Sequence, residues 1–365
     1  MGVTGDSTPD PGNARRLLGR ACLGFGWASV LALVPLVVAV PEIPRVYRYL
    51  PLVASAMLFG MPHGAVDYVA GPRAAGGRVD LRGVATVTVL YIFLGGAYLG
   101  LWFLAPVPAA VFFVLLTWFH WGQGDLYALR GLFGGAHVDD PTQAALTVLV
   151  RGGLPMLVPL VGFPGRYREV LRTFVDPFDG SVEALWLFER GPRLAMAAVF
   201  GAVTLLTLAR GYRRVRREVA PETGDGDARR GWRLDAAETV LLWVYFLVVP
   251  PVLAVGVYFC LWHSLRHIAR VVLLDRTSVE ALSEGRWLLP TGKFALEAAV
   301  PTALALGIVG ALWAVTPSTV GTLAGATGLY LVAIAVLTLP HTAVVVWLDR
   351  EQGVWSFAHR AERIN

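Results

Sequence analysis

AAETVLLWVYFLVVPPVLAVGVYFCLWHSLRHIARVVLL, residues 236–274, is the stretch whose reading decides the fold. As a single helix it would run about 58 Å at 1.5 Å per residue, nearly twice the roughly 30 Å hydrocarbon core of a bilayer. Pro250-Pro251 divides it, because proline removes a backbone donor and clashes with the turn before it. Two membrane segments joined by a tight turn follow, 236–249 and 251–274.

Working outward, the same pattern repeats along the chain. Apolar blocks fall at 21–40, 49–70, 84–104, 107–129, 144–163, 193–211, 294–315 and 322–348, most of them near the twenty residues that cross a bilayer. Hydrophobic residues make up 56%, charged residues 16%, and mean hydropathy is +0.59. The expectation is an all-α polytopic membrane bundle of about 10 (8–10) transmembrane helices. Residues 1–20 read as a disordered cytoplasmic tail, 21–348 as one membrane-embedded catalytic domain, and 349–365 as a second cytoplasmic tail. The first block has no small-residue cleavage site and reads as a retained helix.

The net charge of +5 does not point to nucleic acid, because no basic face is interleaved with exposed aromatics. The arginines gather between apolar blocks instead. Eight of them, Arg210, Arg213, Arg214, Arg216, Arg217, Arg229, Arg230 and Arg233, mark one cytoplasmic loop by the positive-inside rule. Counting helices from that loop places both termini in the cytoplasm of a multi-pass plasma-membrane protein. It also places 162–192 outside, where its aromatic residues suit an interfacial element. Cys22 and Cys260 lie within apolar blocks and read as small hydrophobes.

Seven histidines are present. His137, in a polar loop, and His359, in the charged tail, read as surface residues. The other five, His63, His120, His263, His267 and His341, lie in apolar blocks, where an ionisable side chain turns inward and finds a partner. Their four blocks all run from outside to inside, which brings the rings to a similar depth in the inner half of the membrane. His263 and His267 are spaced i, i+4 and share a helix face. With His63 and His120 at matching depth they form a candidate site for one metal ion. His341 is open between ligand, partner of a ligand, and core histidine.

Asp67, Gln123 and Asp125 are placed to accept the other ring N–H of a metal-bound histidine; the two aspartates equally suit helix caps. Glu238, Glu297 and Arg151 sit near block ends and read as side chains reaching the interface. Imidazole suits several transition metals, so the ligand set alone does not choose the ion. An apolar setting favours a lipid-soluble substrate, and an open iron site favours O₂ chemistry.

The segments Pro62-His63-Gly64-Ala65-Val66-Asp67, Phe119-His120-Trp121-Gly122-Gln123-Gly124-Asp125 and Trp262-His263-Ser264-Leu265-Arg266-His267 resemble those of the Brp/Blh family of β-carotene dioxygenases, as does Pro340-His341. The resemblance spans about Phe59 to Leu348. It implies a non-haem Fe(II) enzyme that cleaves β-carotene at its central 15,15′ double bond with O₂, giving two all-trans-retinal. It also implies iron held by His63, His120, His263 and His267, and retinal supplied to a rhodopsin. The loops at 162–192 and 212–235 exceed the family pattern. Two other classes are compatible with intramembrane histidines: a histidine-lined transporter and a bis-histidine haem protein.

Overall fold

A computed structural model describes residues 11–40, 42–218, 225–316 and 322–357. The described residues form helices and turns and no strand. In chain order the helices are α1 (Pro11–Ala39), α2 (Arg45–Ser55), α3 (Gly60–Ala65), α4 (Asp67–Ala74), α5 (Leu81–Leu90), α6 (Gly96–Leu104), α7 (Pro106–Gly131), α8 (Pro141–Gly162) and α9 (Pro164–Val175). There follow α10 (Arg190–Glu218), α11 (Asp225–Val248), α12 (Pro251–Tyr258), α13 (Leu265–Val272), α14 (Arg276–Ser283), α15 (Leu288–Val315) and α16 (Leu323–Glu351). Two π-helical turns join neighbours without a break in the rod: Tyr91–Gly95 links α5 to α6, and Phe259–Ser264 links α12 to α13.

Helix starts follow from side chains that satisfy otherwise orphaned N–H groups. Asp80, Asp140, Asp275 and Thr322 accept from the backbone N–H of Gly83, Gln143, Ser278 and Gly325. Pro141, Pro164 and Pro251 open their helices, where a missing N–H costs nothing. Pro250-Pro251 divides α11 from α12, as the sequence requires.

Eight helical stretches among the described residues are long and apolar enough to cross a membrane: 12–39, 45–74, 81–104, 141–162, 190–217, 251–272, 288–315 and 323–351. The figure of about ten exceeds this by two. The missing pair are α7 and α11, whose apolar runs give way to His120, Gln123 and Asp125 and follow Arg233, Asp235 and Glu238. The outer faces are apolar, with Leu296 80%, Phe93 71% and Leu205 70% exposed, an extent of exposed hydrocarbon that marks a lipid-facing surface.

The expected N-terminal tail needs correction. Residues 11–20 are helical, as the start of α1; residues 1–10 and His359 lie outside the described residues. The 49–70 block lies in one membrane-length stretch, 45–74, built of three short helices with breaks at 56–59 and at Val66. The 162–192 segment is anchored by buried residues: Leu171, Phe174, Phe178 and Phe188 join Trp102 in one apolar cluster.

Helix α7 packs closely against α8. A Cβ on Gly122 would lie 2.1 Å from the Val148 carbonyl oxygen, and one on Gly152 would lie 1.8 Å from that of Trp118. Only glycine permits backbones to meet this closely, the small-residue packing typical of membrane bundles.

An ion-pair layer fastens the interior. Arg151 bonds Glu238 and lies 3.3 Å from Asp125 and 3.4 Å from Asp235. Arg266 reaches Asp125 at 2.8 Å and Glu238 at 2.5 Å, while Arg270 meets Asp349 at 2.8 Å. Arg151 and Glu238 therefore do not extend to the interface; they are buried and pair across α8, α11 and α13. His137 is likewise no surface residue: it is buried, with Nε2 2.9 Å from Asp235. Glu297 does bond near the surface, to Arg73 at 2.6 Å.

Candidate metal centre

Five histidines meet inside the bundle. His63 comes from α3, His120 from α7, His263 from the π turn, His267 from α13 and His341 from α16. All five are buried. Ring centroids stand 4.8 Å apart for His120 and His263, 5.3 Å for His63 and His263, and 5.4 Å for His63 and His267. Those of His341 lie 4.9 Å from His63, 4.7 Å from His120 and 5.0 Å from His267. The site is thus built from four chain segments.

Local structure explains the aim of each ring. His63 lies in the short helix between two breaks, and its Nδ1 bonds the Gly60 carbonyl and stands 3.2 Å from Ser264 Oγ. Gly60 itself has no room for a Cβ, which would fall 2.6 Å from Phe259. The π turn adds a residue to the helical turn at His263 and shifts the register at which it enters the core, a distortion often found at functional sites. Trp121 and Phe259 flank the His263 ring.

The carboxylates divide. Asp67 Oδ2 accepts from His341 Nδ1 at 2.8 Å and from the Tyr91 hydroxyl at 2.6 Å. Asp125 instead bonds Arg266, with Trp262 Nε1 at 3.5 Å, so it belongs to the ion-pair layer rather than to a ring. Gln123 directs Nε2 to Asp349 at 2.7 Å.

The ring atoms turned inward fit a metal. Nε2 of His63, His267 and His341 is buried with no hydrogen-bond partner, a costly state for a polar atom. Nε2 of His120 and His263 stand 3.1 Å apart. Two nitrogens each about 2.1 Å from one ion, at roughly a right angle, are separated by about this much. Neutral imidazoles of this kind suit iron, copper, zinc or nickel.

A cavity of about 770 Å³ is lined by His63, His120, His263 and His341 and is otherwise walled mainly by apolar side chains, among them Phe113, Met156, Phe259 and Leu337. Its lining residues left exposed are Thr88, Ile92 and Gly96 on one side and Val300 and Leu304 on the other. Ile92 is 70% and Leu304 70% exposed, and each sits near the middle of its membrane-length stretch. The cavity therefore opens sideways, between the α5–α6 rod and α15.

Sequence reasoning missed Tyr91 and Ser264, which steady His341 through Asp67 and His63 directly. Tyr91 stands in no motif, and Ser264, although within the 262–267 segment, was given no role; the contacts across 24 and 201 residues show them.

Fold and site together define a polytopic helical membrane protein with a buried histidine cluster lining an apolar cavity. A family model described as beta-carotene 15,15′-dioxygenase matches residues 54–349. A relative from Halobacterium salinarum, probable beta-carotene 15,15′-dioxygenase Blh, is 52% identical over 348 residues, 95% of this chain and 97% of its own. Another from the same species, probable beta-carotene 15,15′-dioxygenase Brp, is 30% identical over 323 residues, 83% of this chain and 85% of its own. No solved structure matches the chain. The chain belongs to the β-carotene 15,15′-dioxygenase family of enzymes.

Proposed function

We propose that the protein cleaves β-carotene at its central 15,15′ double bond with O₂, yielding two all-trans-retinal. The carbon–carbon double bond breaks, and each of its carbons takes one oxygen atom. The observation that carries this reading is the histidine cluster lining a large apolar cavity. His63, His120, His263 and His267 would hold Fe(II), which when bound supplies the means of activating O₂ toward an electron-rich alkene.

The chain's own residues do the rest. Apolar walls exclude water and hold the polyene so that its midpoint lies beside the histidines, a positioning effect. Cavity length on either side of the cluster sets which bond is presented. The sideways opening between the α5–α6 rod and α15 admits a substrate dissolved in lipid. Retinal leaving by the same route enters the bilayer, where a rhodopsin can take it up. The proposed topology has α7 and α11 crossing as well, ten helices in all, with both termini on the cytoplasmic side of the plasma membrane.

The other two classes fit less well. Opposed haem ligands need a macrocycle between them, but these rings crowd edge-on with centroids about 5 Å apart. A transport path needs polar groups along its length, and this cavity is apolar beyond the cluster. Product chromatography with purified protein, Fe(II) and β-carotene tests the proposal. Retinal is expected; undiminished activity after complete metal removal, or an off-centre aldehyde, overturns it.

A further inference from the structure

We propose that His341 is a fifth protein ligand of the metal centre, aimed by Asp67 and Tyr91. This deepens the metal reading above and rests on it. Two groups of side chains have ligating atoms that all lie within 4.8 Å of one another: His63, His120 and His341, and Asp67, His267 and His341. His341 is the member they share. Its ring also lies at 4.7–5.0 Å from three of the other four, nearer than most of those rings lie to each other.

Hydrogen bonding fixes which nitrogen faces the cluster. Asp67 Oδ2 takes the His341 Nδ1 proton at 2.8 Å and the Tyr91 hydroxyl proton at 2.6 Å. A carboxylate held in this way locks the tautomer and turns the opposite nitrogen into the ligating atom. That atom, Nε2, is buried and has no partner. A lone pair buried without a partner is costly, and a metal ion at the cluster would satisfy it.

Backbone sterics are arranged around the same ring. Gly64, one residue from His63, faces it so closely that a Cβ would stand 3.3 Å from His341 Nδ1. A side chain there would press on the nitrogen bonded to Asp67. Gly124 has the matching relation to His263, with a Cβ at 3.3 Å from its Cε1. The two glycines thus give His341 the same allowance as a residue already assigned to the metal.

The test is proton NMR of the full-length protein loaded with Co(II), observing exchangeable, strongly shifted ring N–H signals. An imidazole bound through one nitrogen carries its proton on the other, so each ligand contributes one such signal. Five are expected in the wild type. His341→Gln should lose one and keep four, and Asp67→Asn should keep five, one of them exchanging faster with water. Four signals in the wild type, or an unchanged set in cobalt-loaded His341→Gln, overturn the fifth ligand. Where His341→Gln fails to fold or to hold cobalt, the wild-type count decides. No shifted signals at all in the wild type would instead defeat the metal reading on which this one rests.

Discussion

His120 and His263 bring their Nε2 atoms to 3.1 Å although 143 residues separate them in the chain. Two lone pairs held that close repel each other, and a shared cation or proton relieves the repulsion. The close approach is imposed from outside the pair, by the α7–α8 contact at Gly122 and by the π turn that carries His263.

His120→Ala or His263→Ala should therefore abolish retinal formation and lower the iron content of purified protein. Elution as a folded species should be unchanged, because each ring contacts the cluster more than the helix packing. Metal analysis beside product chromatography checks this. Full activity in either variant would remove these rings from the reaction.

The ion-pair layer predicts a stability difference between two substitutions at one position. Glu238→Ala leaves Arg151 and Arg266 both short of a partner in a buried site. Breaking a buried pair in this way costs about 3–5 kcal/mol. Glu238→Gln keeps an acceptor oxygen and should cost less. Thermal unfolding in detergent should rank wild type above Gln and Gln above Ala; equal midpoints for all three would contradict a structural role.

Substitutions at the cavity mouth should act on substrate entry and spare the metal. Leu304→Trp or Ile92→Trp places bulk where exposed lining residues border the opening. The expected result is a several-fold fall in kcat/KM for β-carotene with iron content unchanged. A wild-type value for both variants would place the entrance elsewhere.

Acid should loosen the junction before α14. Asp275 caps that helix and lies 2.7 Å from Lys293 Nζ. Burial alone would raise its carboxyl, but hydrogen bonds from Lys293, Ser278 and Thr277 outweigh this and hold it well below the usual carboxylate range. A depressed folded value means the stabilisation is complete above about pH 4, the ordinary carboxylate value, and is lost as pH falls through the folded value. Asp275→Asn should flatten that part of the stability–pH curve; an unaltered acid limb would assign it to other groups.

The membrane class, the proline break at 250–251 and the convergence of five histidines were all legible in the sequence. Hydrophobic length and motif spacing are local signals, and these features are local or repeat at helical depth. Arg151, Glu238 and His137 were misread for the opposite reason. A charged residue near the end of an apolar block has a default partner in the interface, and its real partner lies 87 residues away for Arg151 and Glu238 and 98 for His137 and Asp235. The π turn at 259–264 has no compositional mark either. Its Phe259 packs against Gly60 and Trp121, partners distant in the chain, so only the folded chain displays it.

The sideways mouth also changes what concentration means for this enzyme. A pigment confined to the bilayer meets it by diffusion in two dimensions, so saturation depends on pigment molecules per lipid and not per litre. Adding inert lipid at fixed total pigment should slow turnover, while diluting the same vesicles in buffer should leave the rate per enzyme untouched. Membrane composition would then govern flux, and crowding by other membrane proteins would slow delivery without touching the site.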